Sequence, residues 1–177
     1  MDALKQSYFD WFALPETFAL DVAALDAAYL QVQATVHPDR HARGLDSERR
    51  LAMQLATQAN EAYRTLRDPA RRAAYLCQHH GVDLQTESNT AMPAEFLMGQ
   101  MEWRERLDDA KAARSGQAVA ALRSALDDDR QQLLDRLGQA IDQRGDFQEA
   151  GRLARQLMFL DKFGSDVDSA EDLIADI

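Results

Sequence analysis

Residues 21–40 read DVAALDAAYLQVQATVHPDR, and the point at which this run must stop being helical organises the chain around it. Leu25, Tyr29, Val32 and Val36 recur at steps of four, three and four, which places them on one side of a helix, and Asp21 has the right chemistry for its N-cap. Pro38 has no amide hydrogen, and its ring disfavours the helical conformation at His37, so the helix is expected to end near Val36. The Asp39 carboxylate can hold nearby backbone amides in a tight turn while keeping acceptor capacity for an arginine on a partner. After the loop Arg40-His41-Ala42-Arg43-Gly44, Leu51, Leu55, Ala59, Ala62 and Leu66 define one side of a second helix. The two helices are expected to form an antiparallel hairpin with His37-Pro38-Asp39 at its tip.

Flanking signals extend the pattern in both directions. Tyr8, Phe9, Trp11 and Phe12 form an aromatic turn that Leu14-Pro15 ends, and a cluster of that kind is core material. Asp68-Pro69 restarts a helix, Asp as cap and Pro at the first helical position, and Gly81 is its natural stop. From Gly81 to Met92 the sequence GVDLQTESNTAM loses all periodicity and is expected to be a linker. Pro93 opens a helix to about Arg114. A further helix from about Gln117 carries Leu122, Leu126, Leu133, Leu137 and Ile141 up to Gly145. Asp146 with Glu149 resembles a capping box for a last helix to Phe163, and Gly164 is expected to end it, with Asp168 capping a short terminal helix. No internal repeat or period-two strand is present. The fold expected is all-α, with a linker at 81–92 between domains at 1–80 and 93–177.

Composition narrows the function classes. The 177 residues carry a formal charge of -10, which disfavours general binding to nucleic acid or anionic membranes. Cys77 is the only cysteine, so neither an intrachain disulfide nor a CxxC metal knuckle can form, and a reducing compartment suits the chain. MDALKQSYFDWF lacks the basic start and apolar run of a signal peptide, and no apolar stretch approaches a membrane span. A soluble, cytoplasmic protein is expected. No Gly-rich phosphate loop is present, so ATP hydrolysis by the chain itself is not expected.

Three groups of residues invite a functional reading. His37 and Asp39 could serve as a helix-stop turn, a docking loop or an acid/base pair, but no nucleophile or third ligand accompanies them, as catalysis would need. His79 and His80 with Cys77 and Asp83 hint at metal, yet adjacent histidines on a helix point in different directions, and no metal or other cofactor is expected. The helix after Pro93 has two apolar stripes, Phe96, Trp103, Leu107 and Ala110 on one, Leu97, Met98 and Met101 on the other, the second rimmed by Glu102, Glu105 and Asp109. One apolar face is enough for a bundle helix. The second is either buried elsewhere or open to a partner groove, for which adaptable methionines and steering acids are well suited.

Residues 8 to about 80 resemble a J-domain, the module by which co-chaperones stimulate a DnaK-class ATPase chaperone. The resemblance rests on His37-Pro38-Asp39-Arg40 after an amphipathic helix and on the run NEAYRTLRDPARRAAY at 60–75, with Asn60, Ala62, Tyr63, Leu66, Asp68, Pro69, Arg71, Arg72 and Tyr75. The residue before the tripeptide is Val36, where J-domains commonly show Tyr. No Lys or Arg occurs between Lys5 and Arg40, although that helix is usually basic. Residues 95–107, EFLMGQMEWRERL, and the later FLDKF at 159–163 resemble the C-terminal domain of HscB-type co-chaperones of iron-sulfur cluster biogenesis. That resemblance implies a bacterial-type member, roughly L-shaped, with a J-domain and a C-terminal three-helix bundle. It implies no enzymatic activity of its own. It implies chaperone binding through His37, Pro38, Asp39 and Arg40 to an HscA-type, DnaK-class partner. It further implies binding of an IscU-type scaffold protein through Leu97, Met98, Met101, Glu102, Glu105, Asp109 and Phe159, with Asp109 standing where relatives carry Glu. A J-domain co-chaperone for a different client is the alternative.

Overall fold

Capping chemistry sets most of the element boundaries. The computed structural model describes residues 6–36, 46–84 and 93–175, and its α-helices are α1 Val22–Val36, α2 Asp46–Arg67, α3 Pro69–His79, α4 Ala94–Ala112, α5 Gly116–Gly138 and α6 Phe147–Ala175. The protein is all-α as expected, with no strand among the described residues. Asp21 caps α1, its Oδ1 accepting from the amides of Ala23 at 2.9 Å and Ala24 at 3.3 Å. Asp68 caps α3 through the Arg71 amide at 2.9 Å. The end of α3 is a Schellman motif: the Val82 amide donates to the Cys77 carbonyl, the Gly81 amide to that of Gln78, and Gly81 takes φ +79°. His37, Pro38, Asp39 and Arg40 lie outside the described residues.

The chain divides into two compact units, Met1–Leu76 and Cys77–Ile177. In the first, α1 and α2 pack through the stacked rings of Tyr29 and Tyr63, 3.9 Å between centroids. Their hydroxyls are both satisfied, Tyr29 donating to Asn60 at 2.7 Å and Tyr63 to Asp26 at 2.8 Å. The Asp26 hydrogen bond is the main cause holding the Tyr63 phenol above its usual pKa, with desolvation adding to it. Leu25, Ala59, Ala62 and Leu66 are fully buried beside Phe9, Phe12 and Phe18. Leu51 departs from its expected place: it is 50 % exposed, and Ala52 occupies the core position instead. Arg72 is buried, its Nε donating to the Phe18 carbonyl at 2.9 Å and its Nη1 to that of Leu66. The Tyr75 hydroxyl accepts from the Tyr8 amide at 2.9 Å, and the two rings stack. Most of the NEAYRTLRDPARRAAY run thus ties the start and end of this unit to its hairpin.

In the second unit α5 and α6 lie antiparallel, with Val119, Leu122, Leu126, Leu133 and Leu137 of α5 against Leu153, Leu157, Leu160, Phe163 and Val167 of α6 in the core. Three arginines on α5 pair with acids on α6 in reverse order: Arg123 with Asp168, Arg130 with Asp161 at 2.7 Å, and Arg136 with Glu149 at 3.3 Å. Past Gly138 the helix widens into a π turn, Gln139–Gln143, with the Arg144 amide bonded to the Gln139 carbonyl five residues back. Steps of four residues overshoot an α-helical turn, and this wider turn carries both Ala140 and Ile141 into the core. Asp146 caps α6 through the Glu149 amide at 3.0 Å, but the Glu149 carboxylate turns to Arg152 and Arg136, so only half of the capping box forms.

One expectation fails here. Gly164 does not end the last helix, and Asp168 does not cap another: α6 runs unbroken from Phe147 to Ala175. Gly164 is instead the point where α5 comes close, with the Arg123 Nη2 donating to its carbonyl at 3.3 Å. Residues 82–84, at the start of the expected linker, pack on α6, where Leu84 is buried and its carbonyl accepts from Arg155 at 2.9 Å.

Candidate functional site

Helix α4 is held to its unit by one stripe. Leu107 and Ala110 are each 3 % exposed, Trp103 meets the Phe163 ring edge-on at 5.9 Å between centroids, and Phe96 meets Phe159 in the same way at 5.6 Å. Burying Leu107 alone is worth roughly 1.5–3 kcal/mol, so this face is fixed. The opposite face is exposed among the described residues. Met98 is 63 % and Met101 72 % exposed, and Glu102, Glu105 and Asp109 are exposed beside them. At helical spacing, residues 98, 101, 102, 105 and 109 share one outward side. Among the described residues, none of these three carboxylates has an ion pair or side-chain hydrogen bond. The arrangement is an apolar strip of flexible thioethers rimmed by free acids, a surface suited to a partner and costly to leave in water.

Leu97 and Phe159 take different positions. Leu97 is half-buried at the edge of the strip. Phe159 rises from α6 beneath α4, stacked on Phe163 at 6.1 Å with the Arg104 guanidinium 5.8 Å from its ring centre. It also lines a cleft of about 240 Å³ with Phe96, Trp103, Leu133, Gln100 and Gln156. Sequence reasoning did not find this cleft. Its walls come from three helices, and only the Phe96/Trp103 stripe and the FLDKF segment hinted at it.

The adjacent histidines approach each other, their rings edge-on at 5.8 Å between centroids, while Cys77 stands apart from them. Cys77 is buried, its thiol 3.7 Å from the Phe147 carbonyl and pushed up to about 11 by burial, with the Arg155 charge opposing that rise. His79 and His80 are exposed, and His80 stacks flat on the Phe147 ring at 3.8 Å between centroids.

These features define a helical protein with an open, acid-rimmed apolar face on α4 and a buried thiol at the end of α3. Residues 92–168 match a family model described as the HSCB C-terminal oligomerisation domain. The chain is 55% identical over 167 residues to a Burkholderia multivorans protein named Co-chaperone protein HscB homolog, covering 94% of this chain and 95% of that one. It is 52% identical over 166 residues to a protein of the same name from Bordetella pertussis, with 94% and 96% covered. Among solved structures it resembles chaperone HscB from Vibrio cholerae, with TM-score 0.86, 34% identity and coverage of 96% and 99%. It also resembles human co-chaperone protein HscB, with TM-score 0.87, 27% identity and coverage of 93% and 81%. The chain belongs to the HscB co-chaperone family.

Proposed function

We propose that this co-chaperone carries a scaffold protein of iron-sulfur cluster assembly, of the IscU type, to an HscA-like, DnaK-class chaperone and stimulates ATP hydrolysis by that partner. The observation that carries the reading is the outer face of α4, where Met98 and Met101 stand open beside three unpaired acids. Leu97, Met98 and Met101 would supply the apolar contact. Glu102, Glu105 and Asp109 would steer a partner with a basic rim. Phe159 would support the strip from below, holding α4 through Phe96. The loop His37-Pro38-Asp39-Arg40 would engage the chaperone. A binding protein can shift the chaperone's equilibrium only by contacting one of its states better than the other. Joining both contacts in one chain raises the scaffold's effective concentration at the chaperone. The protein would act in the cytoplasm; no described helix is long and apolar enough to cross a membrane.

The test is a pull-down with the scaffold and an ATPase assay with the chaperone. Leu97→Ala with Met98→Ala is expected to weaken scaffold capture by about tenfold or more, two buried anchors being worth about 1 kcal/mol or more each. Asp39→Asn is expected to abolish ATPase stimulation. Scaffold capture unchanged in the double variant would sink the client assignment. Full stimulation by Asp39→Asn would sink the docking role of the loop.

A further inference from the structure

Within the first unit, a broad groove of about 670 Å³ opens beside the start of α1 and the α2–α3 junction, walled by Val22, Tyr63, Arg64, Arg67, Pro69 and Arg71. Asp68, the acid on its wall, faces the amide of Arg71 as the cap of α3. Arg67 is already oriented, 3.6 Å from Asp26 and 5.8 Å from the centre of the Tyr63 ring. Arg64 and Arg71 are exposed and, among the described residues, have no side-chain hydrogen bond or ion pair.

Helix electrostatics separates these arginines. Arg64 and Arg67 lie in the last turn of α2, where cations are favoured by the helix dipole, so that pair has a structural use. Arg71 has none. It sits in the first turn of α3, at the positive end, and no acid in that turn compensates it. The charge of the whole chain is also unevenly placed. Met1–Leu76 holds ten acids against nine Lys and Arg, whereas Cys77–Ile177 holds twenty against eleven. The acidic character thus resides in the second unit, and the groove is a local positive site on a nearly neutral one.

We propose that this groove receives an acidic, partly apolar segment of a partner polypeptide, its carboxylates on Arg64, Arg67 and Arg71 and an apolar side chain on Val22 and the Tyr63 ring. Val22 is 39% exposed, so an apolar contact is open there. Arginine forks match carboxylates in two-point contacts. A long polyanion such as nucleic acid would meet the field of a chain at -10, which disfavours it relative to a short acidic segment.

The test uses the full chain labelled with 15N and a short glutamate-rich peptide with leucines at its centre. Its lysine counterpart and inorganic phosphate are the other two probes. The acidic peptide is expected to shift the amides of Val22, Arg64, Arg67 and Arg71, and to bind more weakly as salt shortens the screening length to about 8 Å. The triple change Arg64→Glu, Arg67→Glu, Arg71→Glu is expected to weaken binding about tenfold or more, each exposed charge pair contributing modestly. Because Arg67 also faces Asp26, Arg71→Gln is made separately; it should weaken the peptide measurably while leaving the unfolding midpoint unchanged. Unchanged affinity in both variants, equal binding of the lysine peptide, or shifts located elsewhere would each overturn the proposal. The same amide shifts with phosphate alone at equal concentration would overturn it too, reducing the groove to a simple anion site.

Discussion

Arg114 ends α4 in a conformation that glycine adopts far more readily. Its φ is 49°, its amide donates to the Lys111 carbonyl, and the next amide, of Ser115, donates back to that of Ala110, which completes a Schellman motif. Gly81 and Gly145 fill the corresponding positions after α3 and the π turn, at φ 79° and 62°. A Cβ in that region clashes with the following carbonyl at a cost of about 1 kcal/mol. Arg114→Gly is therefore expected to stabilise the protein by up to about that amount, read as a higher urea midpoint with an unchanged slope. A lower midpoint would mean that the Arg114 side chain makes a contribution its backbone conformation conceals. The tight turn matters because Ser115 must also cap α5, which it does by accepting from the Ala118 amide at 3.2 Å.

Among the elements, α6 shows where sequence periodicity stops being informative. Its two interior glycines have different surroundings. A Cβ on Gly164 would lie 3.5 Å from both Arg123 and Leu126, an ordinary contact, whereas one on Gly151 would lie 3.2 Å from Val82 and 3.3 Å from Leu84. Gly164→Ala is expected to gain about 0.5–1 kcal/mol from helix propensity. Gly151→Ala should gain less or lose stability, since residues 82–84 must move, and thermal unfolding of the two variants side by side would check the order. Gly164 looked like a stop because glycine favours helix ends. The close approach of α5, a contact between positions 41 residues apart, is not written near it. Local chemistry was legible: Asp21, Asp68-Pro69, Gly81 and Asp146 all mark the boundaries they suggested. The π turn and the exposure of Leu51 were not, since both depend on which neighbour arrives from elsewhere. The open strip of α4 was visible as a second apolar stripe, but whether a bundle covers that stripe is a question only packing answers. The tip of the α1–α2 hairpin rests on sequence alone.

At the scale of the molecule, the two proposed contact regions belong to units with separate cores, so their effects should separate as well. Asp39→Asn is expected to leave scaffold capture intact while removing ATPase stimulation. Leu97→Ala with Met98→Ala should leave stimulation by the scaffold-free protein intact while reducing the added effect of the scaffold. Single-turnover ATPase measurements with and without scaffold would show it, and loss of both activities in either variant would indicate a shared core after all. The antiparallel arginines of α5 have a bearing on how the second unit reaches its native pairing at all. Leucine and alanine faces at heptad-like spacing are nearly degenerate, and two such helices can slide past one another by two turns with little loss of apolar contact. The rungs Arg123–Asp168, Arg130–Asp161 and Arg136–Glu149 are unevenly spaced on α6. A slip of seven residues would bring Arg130 to Asp168 and Arg136 beside Asp161, but it would carry Arg123 to Ala175 and break that rung. Modest as each pair is in energy, the native alignment is the one that partners all three arginines at once, which biases the two helices toward it.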